Sequence, residues 1–280
     1  MKSTLKSNSV LIGFYVFYLI MLALIFKESF PIILVLHGIG IFIALTPIGE
    51  AIMRFINHTK KIQLKEDKEY LLPLFEEVYE QAKIKNDKLS KNITLFMSDD
   101  MIPNAFACAS NTVCVTKGAM NTFSREELQG ILAHELGHIS NNDTKVSMVF
   151  LIGNCLLIGF AMIFNFIFWC AGVIVSILGG NNLILRFVKW FKKIISEIGS
   201  MIVAAIFALN SRACERGADK FAHDIGYGLE LKSALSILKT LDTSGDMTLM
   251  ERIYASHPDI DVRISLLENL EELEELEQTE

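Results

Sequence analysis

The chain has 280 residues, enough for one or two domains, with a hydrophobic fraction of 51%, a mean hydropathy of +0.39 and only 21% charged residues. That balance is too apolar for an ordinary soluble protein and implies a bilayer, while a net charge of −6 gives no reason to expect nucleic acid. The five cysteines (Cys108, Cys114, Cys155, Cys170, Cys214) are odd in number and scattered, with no CxxC pair. This is the usage of a reducing compartment rather than of a disulfide framework, and it argues against a cysteine-based metal site.

In chain order, residues 7–26 are uncharged and mostly apolar, enough to cross about 30 Å of hydrocarbon as a helix. No small-x-small cleavage site follows, so a retained span is expected rather than a signal peptide. A second uncharged run, 29–49, contains Pro31 and Pro47, the latter near its far end where a helix break is tolerable. Lys2 and Lys6 precede the pair, while Arg54, Lys60, Lys61, Lys65 and Lys68 follow it, which places both outer ends in the cytoplasm. From about residue 57 the composition turns soluble. A helix is expected over 67–84, with Leu71, Phe75 and Ala82 on one face and a start blurred by Pro73. Ile93–Met97, Ala105–Ala109 and Val113–Thr116 read as strands of a small sheet.

Ser124 to Ser140 then reads SREELQGILAHELGHIS. Ser124 with Glu127 forms a capping box, and Leu128, Ile131, Leu132, Leu136 and Ile139 recur at helical spacing. Inside this helix lie His134, Glu135 and His138, the HExxH pattern. Four residues is just over one turn, so both imidazoles leave one face about 6 Å apart, a spacing that suits a single Zn²⁺. Glu135, one residue round the helix, can reach a metal-bound water without being a ligand. The competing explanation is a chance pattern on a Glu-rich surface helix.

Beyond the motif, residues 146–185 carry no charge, and 194–210 form a fourth apolar run; Arg186, Lys189, Lys192 and Lys193 lie between them. Ser211 to Asp219 reads SRACERGAD, with Glu215 and Asp219 four apart on one helical face. Two histidines leave a zinc site one protein ligand short, which makes Glu215 the candidate third ligand and Asp219 the acceptor for an outer imidazole N–H. Taken alone, the pair is better explained as a solvated acidic i, i+4 couple served by Arg212 and Arg216. The small residues Ala213, Gly217 and Ala218 permit close approach to the metal helix, and Gly226 is a candidate stop. Leu267, Leu270, Leu273 and Leu276 alternate with Glu in a C-terminal helix that is read as solvated or packing, without chemistry.

HELGH followed by SRxxExxAD resembles the HtpX-type membrane zinc metalloproteases, relatives of the CAAX prenyl protease and of the stress-activated mitochondrial inner-membrane protease. The resemblance runs through two early hydrophobic spans, Asn104–Ala107 (Asn-Ala-Phe-Ala), and HExxHxxNxD (His134, Glu135, His138, Asn141, Asp143). It continues through two later spans, the ExxxD helix, and a late His-Pro motif with an arginine: His257, Pro258 and Arg263. The family often has two prolines after that histidine where this chain has Pro258-Asp259.

The resemblance implies one zinc per chain on His134, His138 and Glu215, with Glu135 as general base. It implies His257 as a hydrogen-bond donor to the oxyanion, and Asn104-Ala105 on an edge strand that pairs with substrate backbone. The residues themselves leave simpler options open: His257 as a helix cap before Pro258, and Asn104 as an ordinary strand start. Asn141 and Asp143 are read as ending the helix and bracing the fold. His37, His58 and His223 are read as structural or solvent-facing.

The expected fold is mainly α with a small β-sheet (α+β), a zincin-type metalloprotease domain on a multi-span anchor of four transmembrane helices. The expected units are 1–52, an N-terminal transmembrane hairpin; 53–145, sheet and HExxH helix; 146–210, a second transmembrane pair; and 211–280, the third-ligand helix, His-Pro motif and acidic helix. Because His134, His138 and Glu215 must meet at one ion, the crossings between them are even in number. Two are expected, within 146–178 and near 194–210, and the alternative is a re-entrant hairpin. The expected function is a zinc endopeptidase of a bacterial cytoplasmic membrane, its catalytic domain in the cytoplasm. Its partners are the bilayer and membrane-protein or peptide substrates, with a role in membrane-protein quality control and stress response. The rivals are a prenyl-peptide protease and a catalytically inactive membrane scaffold.

Overall fold

The structure is a computed structural model of the full chain; it describes residues 27–153, 212–241 and 260–279, together with Val16, Leu19, Ile20, Ala23 and Cys170. The expected first span over 7–26 lies almost wholly outside these residues. So do 154–211 apart from Cys170, including both later runs beyond Gly153 and the basic cluster Arg186–Lys193.

The second apolar run is not one helix. Helix α1 covers Phe30–Ala44 and α2 covers Pro47–Ile56, with a bend of 77° between them. Pro47 has no N–H to continue α1 and disfavours helical geometry in the residue before it. Thr46 accordingly sits extended at φ −100°, ψ 165°, its hydroxyl donating to the Ile43 carbonyl at 2.8 Å. Among the described residues no single helix is long and apolar enough to cross a membrane, although this bent pair together has the length and composition.

Helix α3, Lys65–Lys85, runs through Pro73, which lies on the exposed face where the orphaned carbonyl one turn back meets solvent. A four-stranded mixed sheet follows in the order β1-β2-β4-β3, from Lys60–Lys61, Thr94–Ser98, Thr112–Thr116 and Ala105–Cys108 respectively. Strand β1 had no signature in the sequence, since two lysines carry no apolar alternation. Strand β4 is buried along its whole length, parallel to β2 on one side and antiparallel to β3 on the other. That leaves β3 as an edge strand.

A short helix α4, Lys117–Thr122, capped by Thr116, leads into α5, Arg125–Ser140. The capping box forms as expected: the Glu127 N–H donates to Ser124 Oγ at 3.2 Å and the Ser124 N–H donates to Glu127 Oε2 at 2.8 Å. Leu128, Leu132 and Leu136 are fully buried between α3 and α8 (Gly228–Leu241). Helix α6, Asp143–Gly153, starts almost at once and packs along α1. The described part of α7 spans 212–224 and ends in a Schellman motif at Gly226 (φ +89°), whose N–H donates to the His223 carbonyl. Helix α9, Ile260–Thr279, docks by its first half, so that Leu267 is buried whereas Leu273 and Leu276 are exposed.

The α5–α8 crossing is set by Gly130, where an added Cβ would lie 2.3 Å from the Leu231 backbone nitrogen. Helix propensity favours alanine over glycine by about 1 kcal/mol, but overpacking a rigid backbone contact costs about 1–3 kcal/mol. Gly130→Ala is therefore expected to lower the thermal midpoint in detergent, although the same change raises it on an open helix surface.

Candidate metal centre

Helix α5 carries His134, Glu135 and His138 in its last two turns, all buried. Helix α7 crosses it at Gly137, where an added Cβ would lie 2.9 Å from Ala218 Cα, so the two backbones nearly touch. This contact brings Glu215 and Asp219, one turn apart on α7, against the two imidazoles. The expected small-residue crossing is thus present, with Gly137 and Ala218 at its centre; Gly217 instead faces the Asn141 side chain.

His134 Nε2 lies 3.3 Å from Glu215 Oε2, His138 Nε2 lies 3.4 Å from Glu215 Oε1, and the two Nε2 atoms are 3.1 Å apart. The outer nitrogens are taken: His134 Nδ1 donates to Asp219 Oδ1 at 2.9 Å, and His138 Nδ1 donates to Asp143 Oδ2 at 3.1 Å. With both Nδ1 protons so committed, each Nε2 of a neutral imidazole presents a lone pair. Two lone pairs and a carboxylate then face one another at van der Waals distance, an arrangement that a shared cation makes favourable. Tetrahedral zinc with ligand bonds of about 2.0–2.1 Å spaces its ligand atoms about 3.3–3.4 Å apart, close to the Nε2–Nε2 separation and to the distance from each imidazole to its nearer Glu215 oxygen. His134, His138 and Glu215 could therefore hold a metal ion.

Two further residues complete the cluster. Asp143, read from the sequence as ending the helix and bracing the fold, is also the acceptor that orients His138. It starts α6 only five residues after His138, because Asn141 and Asn142 (φ +61°) turn the chain sharply. Arg263, which the resemblance places in the late His-Pro motif, is 3% exposed and reaches the centre of the site. Its guanidinium donates from Nε to Asp219 Oδ2 at 2.9 Å, from one terminal nitrogen to Asp219 Oδ1 at 2.7 Å, and from the other to Glu215 Oε2 at 2.9 Å. The nitrogen that serves Asp219 also lies 3.3 Å from both ring nitrogens of His134, which places it over the ring face rather than at a lone pair. The available signal was Asp219 itself: a buried carboxylate needs a cation as well as an imidazole.

Four buried carboxylates (Glu135, Asp143, Glu215, Asp219) thus surround one guanidinium and two imidazoles. Burial works against protonating His138, but hydrogen bonds to Asp143 and Glu215 and the charge of Glu215 outweigh it and push it up to about 10. Burial and Arg263 likewise oppose a proton on His134, and Asp219 and Glu215 together raise its affinity. Burial alone raises the Asp219 carboxyl, yet Arg263 and His134 hold it below the usual carboxylate range. The field favours positive charge between the imidazoles, whether carried by protons or by a metal that displaces them. Burial pushes the Cys108 and Cys114 thiols up to about 12, so both stay protonated and offer no thiolate at neutral pH.

A cleft opens beside this cluster, lined by Asn104, Ala105, Ile131, His134, Glu135 and Arg263 among others. The structure therefore brings together His134, Glu135, His138, Glu215, Asp219, Asn104 and Ala105. His257 lies outside the described residues. His37 and His223 are buried away from the site and His58 is exposed.

The model of peptidase family M48 matches residues 65–271, nearly three quarters of the sequence. The chain belongs to peptidase family M48. A Protease HtpX homolog from Listeria monocytogenes serotype 4a is 27% identical over 314 aligned residues, covering 95% of this chain and 96% of the relative. Another from Caldanaerobacter subterraneus is 28% identical over 201 residues, 63% of this chain and 65% of that one. Among solved structures, the crystal structure of S. mikatae Ste24p superposes with a TM-score of 0.52 at 22% identity. That match covers 95% of this chain but 64% of Ste24p, and it shows a shared fold.

Because Asp143 holds the His138 ring from outside, Asp143→Ala is expected to weaken divalent-metal affinity about 10- to 100-fold without removing a ligand. Competition against a zinc chelator measures this directly. Asp143→Asn, which still accepts the N–H, should recover part of the loss.

Proposed function

We propose that this member of family M48 is an integral-membrane, zinc-dependent endopeptidase. The observation that carries the reading is the convergence of His134, His138 and Glu215 beside a cleft that is bordered by Glu135 and by the edge strand β3. The three ligand atoms lie within 4.8 Å of one another.

Zinc held by those residues would supply Lewis-acid polarisation of the scissile carbonyl and acidification of a water. Glu135, on the cleft wall, is the general base of this reading: it accepts a proton from the attacking water and returns it to the leaving amine. Asp219 and Asp143 fix the two imidazoles in the tautomer that leaves Nε2 free for the metal. Arg263 neutralises Asp219 and steadies Glu215, so that neither carboxylate has to be protonated in a buried site. His257 is assigned to the developing oxyanion as a hydrogen-bond donor. Asn104 and Ala105 receive the substrate as an added strand: among the described residues β3 pairs with β4 alone, which leaves its other edge without a strand partner there. Main-chain pairing of this kind selects extended backbone more than particular side chains, which suits broad specificity.

The membrane assignment rests on the hydropathy of the sequence and on α1, whose Ile32, Val35 and Phe42 all face outward. In this reading residues 1–52 hold a hairpin whose second arm is α1, and 146–210 a second pair of crossings, making four transmembrane helices. Residues 53–145 and 211–280 then make one catalytic domain on the cytoplasmic side of a bacterial inner membrane. Misfolded or damaged membrane proteins are the proposed substrates, and quality control under stress the proposed role.

Glu135→Gln is expected to keep its zinc, measured by elemental analysis, while hydrolysis falls about 10²- to 10⁴-fold. Glu215→Ala is expected to lose the metal instead. Normal turnover by the Glu135→Gln enzyme would overturn the mechanism. A proteomic comparison of membranes carrying the wild type and the Glu135→Gln trap identifies the substrates.

A further inference from the structure

Helix α2 is built inside out. Its outward positions are Pro47, Ile48, Ala51, Ile52, Phe55 and Ile56, without one polar residue, and Ile48, Phe55 and Ile56 are 60%, 81% and 58% exposed. Its inward positions are Gly49, Glu50, Met53 and Arg54. At 100° per residue, positions 48, 52, 55 and 56 fall in one stripe about 100° wide, the width of a face built to be buried.

The polar side is not available to turn outward. The Thr112 hydroxyl donates to Glu50 Oε1 at 2.6 Å, and Arg54 donates to Thr112 Oγ1 at 3.1 Å. The Arg54 guanidinium also lies 5.2 Å over the Phe96 ring. Helix α2 is therefore pinned by its polar face to β4 and β2, and its apolar face is committed to the outside.

Its upstream neighbour identifies what covers it. There α1 exposes Ile32, Val35 and Phe42 at 66%, 62% and 69%, and the 77° bend turns α2 nearly at right angles to it. A helix with one apolar face, set across the end of a lipid-facing helix, matches the pattern of a segment lying in the headgroup boundary. The chain downstream adds no net pull on lipid charge, since Lys60, Lys61, Lys65 and Lys68 alternate with Glu66, Asp67 and Glu69, and Lys60 and Lys65 pair with Asp99 and Glu69. A second copy of the chain fits poorly. A ten-residue helix is about 15 Å long and presents far less than the roughly 800 Å² per partner that a stable dimer buries.

We propose that α2 lies flat in the headgroup–acyl boundary of the bilayer and that it does not form part of a crossing. This rests on the reading of α1 as a membrane helix. The foot has a consequence for the substrate. Thr112, which α2 grips, pairs across the ladder with Cys108 at the end of the edge strand β3. The substrate-accepting edge is thereby held at a fixed height above the lipid, suited to chain segments that emerge next to the membrane surface.

The test places single nitroxide-labelled cysteines at 42, 48, 52, 55 and 56 in a chain lacking the five native cysteines. The chain is reconstituted in nanodiscs of phosphatidylethanolamine and phosphatidylglycerol at 3:1, and depth is read by power saturation with oxygen and a nickel chelate. Equal depths for 48, 52, 55 and 56, about 5–10 Å below the phosphates, with 42 deeper, are expected. A ramp of about 12 Å from 48 to 56, the rise of eight residues, means a crossing helix and overturns the proposal. Water exposure of all four labels, or shielding of all four from both relaxants, overturns it too. If label 42 also fails to contact lipid, the membrane reading of α1 falls with it.

Should the cysteine-free chain not fold, Phe55→Trp in the native background, quenched by lipids brominated at graded depths, reads the same depth as a difference from wild type. Ile52→Glu with Phe55→Glu is expected to lower cleavage of a membrane-anchored substrate at least tenfold and to leave cleavage of a short soluble peptide unchanged. Equal loss on both substrates would count against the foot.

Discussion

The structure depends on the charge balance around Asp219. This carboxylate is completely buried, and it is tolerable there because Arg263 grips it with two nitrogens while His134 donates from a third direction. The network joins α5, α7 and α9, three segments separated by long stretches of sequence. Removing any one charge leaves the others unpaired in a low-dielectric interior, where an orphaned ion costs several kcal/mol. Arg263 also reaches Glu215, so the residues that fix the fold of the C-terminal part are the residues that fix the site. Folding and metal chemistry are hard to separate in such a centre.

Much of the local structure was legible. The capping box, the leucine stripe of α5, the strand at Ala105 and the stop at Gly226 each follow from a residue type whose chemistry acts within one turn. The HExxH spacing and the i, i+4 acidic pair were likewise visible, since helical geometry alone places each pair on one face. Legibility failed where the determining contact is distant or unpatterned. Asp143 acts across a helix end, Arg263 belongs to a visible motif but its partners Asp219 and Glu215 lie more than 40 residues away, and β1 is two lysines recruited by β2. The uncharged run at 29–49 misled in a different way. Hydropathy sums over a window, whereas Pro47 acts at one residue and turns one run into two helices at an angle.

The chain divides its apolar surface by purpose. One core lies between α3, the sheet, α5 and α8, and a smaller one forms where Ala44, Cys108, Ala109, Met148 and Ile152 meet. The second core ties α1 and α6 to the hairpin that carries the edge strand. The Glu50–Thr112–Arg54 contact does the same with polar groups. Substrate strand, metal helix and anchor are thus joined by short paths.

The backbone contact between Gly137 and Ala218 carries a last consequence, for the ion. Because the helices already touch there, the main chain holds Glu215 against the helix that carries both imidazoles. A calcium-sized cation, with bonds of about 2.3–2.6 Å and a demand for six or more oxygens, would need more room and oxygens in place of the imidazoles. A glycine that touches no ion thus brings the third ligand to the other two.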